Sequence, residues 1–173
     1  MNKLIFLNHT SMLLKGEDGY VLTDPWLGSY AFETWKSNPP IFLNEGLFKS
    51  FLECLIAEDK LVILVSHGHD DHCDDAFIKE LPNNARIVIP KFKSPGVRKR
   101  LESLGKLNIS EIGEGISIGE WTFNQHIFSD HSHDDACIEV KNDSFYFLHG
   151  NDNSFAFDDI TVKKIRLNSQ GLK

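Results

Sequence analysis

The stretch KLVILVSHGHDDH, residues 60–72, constrains this chain more than any other. Its first half is a continuous apolar run of strand length, which suits a central strand covered on both faces. The histidines begin where that run stops. Loops at strand ends are where a rigid scaffold presents reactive side chains. The surrounding pattern supplies the scaffold. KLIFL (3–7), SMLLK (11–15) and YVLTD (20–24) read as strands, and GEDG (16–19) as a tight hairpin whose glycines supply positive φ. PWLGSYAFETWKSNPPIF (25–42) is aromatic, punctuated by proline and aperiodic, which predicts a long functional loop. GLFKSFLECLIAE (46–58) places Leu47, Phe51, Leu52, Leu55 and Ile56 at helical spacing.

After the histidines, DDAFIKEL (74–81) and SPGVRKRLESLG (94–105) read as helices around the strand ARIVIP (85–90). LNISEI and GISIGEWTFNQHIF read as strands joined by GEG, and ACIEVKNDSFYFLHGND (136–152) as a hairpin turning at KNDS. ITVKKIRL (160–167) reads as a last strand. Strands first, then strand–helix alternation, then strands again predict an α/β sandwich, as a single domain over 1–173.

Imidazole and carboxylate donors in HGHDDH match zinc, with manganese or iron as alternatives. His67 and His69 are two apart, so an extended turn presents both to one side. Asp71 and His72 follow at the head of a helix and can turn back to a second point, so one short segment serves two metal positions. Any one of these histidines alone reads as a hydrogen-bonded loop residue. Three within six positions, of eight in the whole chain, read as a metal site. The hairpin at 136–152 brings its ends together, setting His131 or His133 at its entry beside Asp152 at its exit.

A net charge of −7 argues against nucleic acid as a partner. The cation-rich stretch KFKSPGVRKR (91–100) reads as a solvated helix face, with a contact for an anionic substrate as the alternative. Cys54, Cys73 and Cys137 are odd in number and widely spaced, which implies reduced thiols and a cytoplasmic protein. No apolar run reaches membrane-spanning length, and the N-terminus carries no cleavage signal.

HGHDDH is similar to the H-x-H-x-D-H signature of the metallo-β-lactamase superfamily. The segment LLKGEDGYVLTDPWLGSYAF, and His131, Asp135, Cys137 and Ile138 ahead of a hairpin that ends at Asp152, resemble its branch of lactonases and the hydrolase-like domain of CMP-N-acetylneuraminate hydroxylase. The resemblance implies an αββα sandwich, incomplete in its C-terminal half, and two divalent metals. It selects His131 over His133. His67, His69 and His131 would serve one metal, and Asp71, His72 and Asp152 the other, with Asp152 between them. Asp71 would also be the catalytic carboxylate, Asp24 a supporting residue, His9 a substrate contact and Cys73 a packed thiol.

The implied activity is hydrolysis of a small-molecule ester, lactone, amide or phosphodiester by a metal-activated water. The alternative is a degenerate or truncated domain with a binding or accessory role, although no Rieske-type C-x-H pairs occur. One departure stands out: the family's final histidine for the second metal has no counterpart after His149. A shortened second sheet would leave an apolar edge that a homodimer would cover.

Overall fold

The computed structural model describes residues 1–28, 30–36, 45–127, 136–150, 152 and 159–169. Three short strands open the chain: β1 (Lys3–Phe6), β2 (Met12–Lys15) and β3 (Tyr20–Thr23). Helix α1 (Glu45–Ala57), β4 (Leu61–Leu64), α2 (Asp75–Glu80), β5 (Arg86–Ile89), α3 (Gly96–Ser103) and β6 (Ile109–Glu111) follow in alternation. The strands form one six-stranded sheet in the order β1-β2-β3-β4-β5-β6, antiparallel from β1 to β3 and parallel from β3 to β6. A second, antiparallel sheet contains β7 (Ile116–Ile118), β8 (Trp121–Ile127), β9 (Ala136–Asn142) and β10 (Phe145–His149), in the order β10-β9-β8-β7.

Two cores follow from the pleat. Strand β4 is buried at every position, as its apolar run requires. Leu61 and Ile63 join Leu52, Leu55, Ile56, Ile78, Val97 and Leu101 under α1, α2 and α3. Val62 and Leu64 point the other way, to Trp121, Phe123, Ile138 and Val140 of the second sheet. A sheet-on-sheet sandwich with helices on its outer face is the layering the strand–helix pattern implies.

Three expectations need correction. The segment expected as a last strand, 160–167, lies in helix α4 (Asp159–Ser169). Its β-branched residues suggested a strand, yet Val162, Ile165 and Ser169 recur at helical spacing and are half-buried, while Lys163, Arg166 and Leu167 are exposed. Gly16 and Gly19 do not adopt positive φ. A Cβ at Gly16 would instead lie 2.3 Å from the Glu120 carboxylate, which accepts hydrogen bonds from the N–H groups of Glu17 and Asp18 and from the Asn142 amide. The glycine admits a close approach that bolts the hairpin to the second sheet. In α1, Leu47 is 71% exposed, and Phe48 takes its expected place against the core.

Candidate metal centre

Where β3 ends, Asp24 is completely buried and takes φ 37°, a conformation that L-residues other than Asn and Asp seldom adopt. Its surroundings hold it there. The Asp24 N–H bonds the Leu64 carbonyl at 2.8 Å, and its own carbonyl accepts from the Ser11 hydroxyl at 2.6 Å. Asn8 completes the brace by donating to the Trp26 carbonyl at 2.6 Å. The side chain is the hub of the site. Oδ1 accepts from the Ser66 N–H at 2.7 Å, while Oδ2 accepts from the Ser66 hydroxyl (2.7 Å), His72 Nδ1 (2.8 Å) and His149 Nε2 (2.5 Å). Burial alone would raise the Asp24 carboxyl, but His149 and His72 together hold it far below the usual carboxylate range.

That hub dictates which imidazole nitrogens remain available. A carboxylate only accepts, so His72 gives it the Nδ1 proton, and Nε2 is the nitrogen left to a metal once its own proton is displaced. Ser66 spends its hydroxyl proton on Asp24, so at 3.2 Å it receives the Nδ1 proton of His67, which likewise frees His67 Nε2. His67 and His72 are each 3% exposed, so these orientations are packed as well as hydrogen-bonded.

The freed nitrogens converge. His67 Nε2 and His69 Nδ1 are 2.7 Å apart, and Asp152 Oδ2 lies 3.3 Å from the former and 3.5 Å from the latter. The other Asp152 oxygen faces His72 Nε2 at 3.3 Å, and Asp71 Oδ2 is 3.6 Å from that same nitrogen. Asp152 therefore straddles two groups of donors. Among the described residues, His67, His69 and Asp152 are the group whose donor atoms could hold one ion. On the other side, His72 Nε2 and Asp71 Oδ1 are buried without a hydrogen-bond partner among the described residues. Buried polar atoms left unpaired are costly unless a ligand completes them, so nitrogen and oxygen donors in this arrangement fit divalent metal.

The remaining expected residues divide. His131, like His133, lies outside the described residues. His9 is exposed in the β1–β2 turn, with its ring edge-to-face on Trp26 at 4.8 Å. Cys73 is buried, and burial pushes its thiol up to about 12, as a packed and unreactive group. No disulfide joins it to Cys54 or Cys137. Asp74 caps α2, accepting from the Ala76 and Phe77 N–H groups.

Two residues carry weight that sequence reasoning did not give them. His149 is the hub's third donor; its place at the end of β10, in the HGND that closes the hairpin, was the available signal. Arg100 belongs to the stretch expected as a solvated face, yet its guanidinium turns inward. It bonds Asp70 (2.9 Å), Asp75 (2.7 Å), the Cys73 carbonyl (3.1 Å) and the Gly68 carbonyl, spanning both ends of the histidine loop. Arg98 is likewise paired, with Glu111 at 2.8 Å. A cavity of about 430 Å³ between α1 and α2 is lined by Leu27, Phe48, Leu52, Phe77 and Leu81, not by the histidines.

A two-sheet sandwich that gathers histidines and carboxylates at its strand ends defines a class of metal-binding domains. Residues 3–171 match the family described as the beta-lactamase superfamily domain, and the chain belongs to it. A "possible metal-dependent hydrolase" from Veillonella parvula has a similar fold, with TM-score 0.69 at 16% identity, covering 98% of this chain and 68% of that one. The diiron β-hydroxylase CmlA from Streptomyces venezuelae superposes with TM-score 0.59 at 17% identity, over 86% of this chain and 29% of its own. In sequence, a protein from Mycolicibacterium smegmatis named as a candidate Rieske 2Fe-2S iron-sulfur protein is 28% identical over 111 residues. That stretch is 64% of this chain and 20% of the relative, so the chain matches about a fifth of its length.

Proposed function

We propose that this protein is a metal-dependent hydrolase acting on a small-molecule ester, lactone, amide or phosphodiester. His67, His69 and His131 would hold one divalent metal, and Asp71, His72 and Asp152 the second, with Asp152 shared. Zinc suits these donors, and manganese or iron would also be accepted. Metals held there supply an acidified water and polarise the substrate oxygen. The protein's own part is to fix that geometry. Asp24 and Ser66 hold His67 and His72 in the tautomers that present Nε2, Asp152 spans the two donor groups, and Asp71 orients or accepts the proton of the attacking water. His9 and the loop after β3 would contact the substrate.

The observation that carries this proposal is the Asp24 hub, which commits four groups of the chain to aiming two buried imidazoles outward. Among the described residues no helix is long and apolar enough to cross a membrane. We take the protein to be cytoplasmic on its cysteine pattern. Strand β1 exposes Leu4, Ile5 and Phe6 at a sheet edge, which supports a homodimer that sedimentation would reveal.

Metal analysis of the purified protein should give about two ions per chain, and hydrolysis of a panel of esters, lactones and phosphodiesters should disappear with chelation. His69→Ala should lose metal and activity together; retention of both would sink the ligand assignment. The Rieske-named relative and the diiron hydroxylase favour a second reading, an accessory domain of an oxidising system. One metal or none, with no hydrolysis of any class tested, would favour it.

A further inference from the structure

The loop after β3 carries three large aromatic side chains in the open: Tyr30, Phe32 and Trp35 are 53%, 43% and 57% exposed. They are not scattered. Ala31 and Trp35 pair across a tight turn, with Trp35 N–H to the Ala31 carbonyl at 2.8 Å and Ala31 N–H to the Trp35 carbonyl at 3.0 Å. The turn forces Phe32 to φ 49° and Glu33 to φ 61°. A bulky residue at positive φ is an outlier, and such strain persists where the surroundings demand it. Here the Phe32 N–H bonds Asp70 Oδ2 at 3.3 Å, and Arg100 holds the other oxygen of the same carboxylate at 2.9 Å. The turn is thus tied to the histidine loop. Its effect is to stand the Phe32 ring against His69, centroids 6.1 Å apart at 67°, and Trp35 against Phe32 at 5.3 Å and 77°. The His69 side chain beside them is itself 60% exposed.

The turn gives the core only its first residue, Ala31, and keeps two aromatic faces in water next to a candidate ligand. Exposed apolar patches beside polar groups mark binding surfaces. We propose that Phe32 and Trp35 form an apolar platform for the substrate of the candidate metal centre, and that this substrate carries an aromatic or similarly flat apolar group next to the reacting bond. The proposal rests on the metal-centre reading above and adds the chemistry of the group bound beside it.

The test uses two neutral metal chelators that differ in one substituent, benzohydroxamate and acetohydroxamate, titrated calorimetrically into metal-loaded protein. The phenyl compound should bind about tenfold more tightly, the scale of one good aromatic pair. In the double variant Phe32→Ala/Trp35→Ala that preference should collapse while acetohydroxamate affinity stays unchanged. Because both side chains are exposed, that unchanged affinity also reports an intact fold and site. Equal binding of the two compounds by the unaltered protein, or a preference that survives in the double variant, overturns the platform and leaves the metal centre standing. Failure of the loaded protein to bind either compound overturns both.

Discussion

The two halves of the candidate centre are built differently. Asp24, Ser66, His67, His72 and His149 are at most 6% exposed and share one continuous hydrogen-bond network. Opposite them, the His69 and Asp152 side chains are 60% and 50% exposed and meet each other and the neighbouring histidines. The buried half is pre-organised, because every proton position follows from the charge on Asp24. The open half faces solvent. A site that must bind tightly and yet exchange its guests gains from that division.

The sharpest way to break the contrast is to remove the charge at the hub. Asp24→Asn tolerates the left-handed backbone but offers the Ser66, His72 and His149 donors a neutral amide. Breaking a buried charged network costs about 3–5 kcal/mol. We expect urea unfolding to show a loss on that scale, together with loss of metal from the His72 side. His69→Ala should leave stability nearly untouched and act on metal content alone. Equal stability losses from the two would erase the distinction.

Arg100 offers the next largest effect, because it joins the two regions from behind. It grips both ends of the histidine loop and the Asp70 carboxylate that anchors the aromatic turn. Arg100→Met should weaken metal binding about tenfold, the lower end for lost supporting contacts. Arg100→Lys should not restore it, since an ammonium cannot span several acceptors as a planar fork does. Rescue by lysine, measured as metal affinity, would reduce Arg100 to a point charge.

How far this architecture could be read in the chain follows from the range of each signal. The buried strand β4 and the HGHDDH loop are local patterns, and β4 and the end-of-strand position of the loop both hold. That Asp152 reaches the histidine loop was legible through the hairpin, whose antiparallel strands β9 and β10 return its exit beside its entry; its approach to His67 and His69 as well as to His72 was not. The His149–Asp24 contact joins positions 125 apart and depends on how two sheets stack, which no local period encodes. Arg100 looked like part of a charge run because its acceptors come from a loop 25 to 32 residues away, two of them backbone carbonyls. Helix α4 shows period overriding propensity: β-branched residues favour strands, but half-buried positions recur every three or four.

The smallest effect concerns a single proton, and it separates the halves by pH. In the metal-free protein, burial would lower His72, but the hydrogen bond and charge of Asp24 raise it to about 9. His67, pushed down to about 4 by burial and by the neighbouring His72, is neutral throughout the same range. A histidine raised above its ordinary 6.5 stabilises the fold fully below that value and loses the contribution as pH climbs through 9. Metal-free stability should therefore decline gently from pH 6.5 to 9, the Asp24 contribution staying constant because that group titrates far lower. Metal must displace the same proton from the His72 side, so affinity there should rise over the window in which stability falls. Calorimetry at pH 7 in buffers of different ionisation enthalpy should detect about one proton released per chain on metal uptake. Release that persists unchanged in Asp24→Asn would detach it from the hub, since without that charge His72 returns towards its ordinary range and gives up less of a proton.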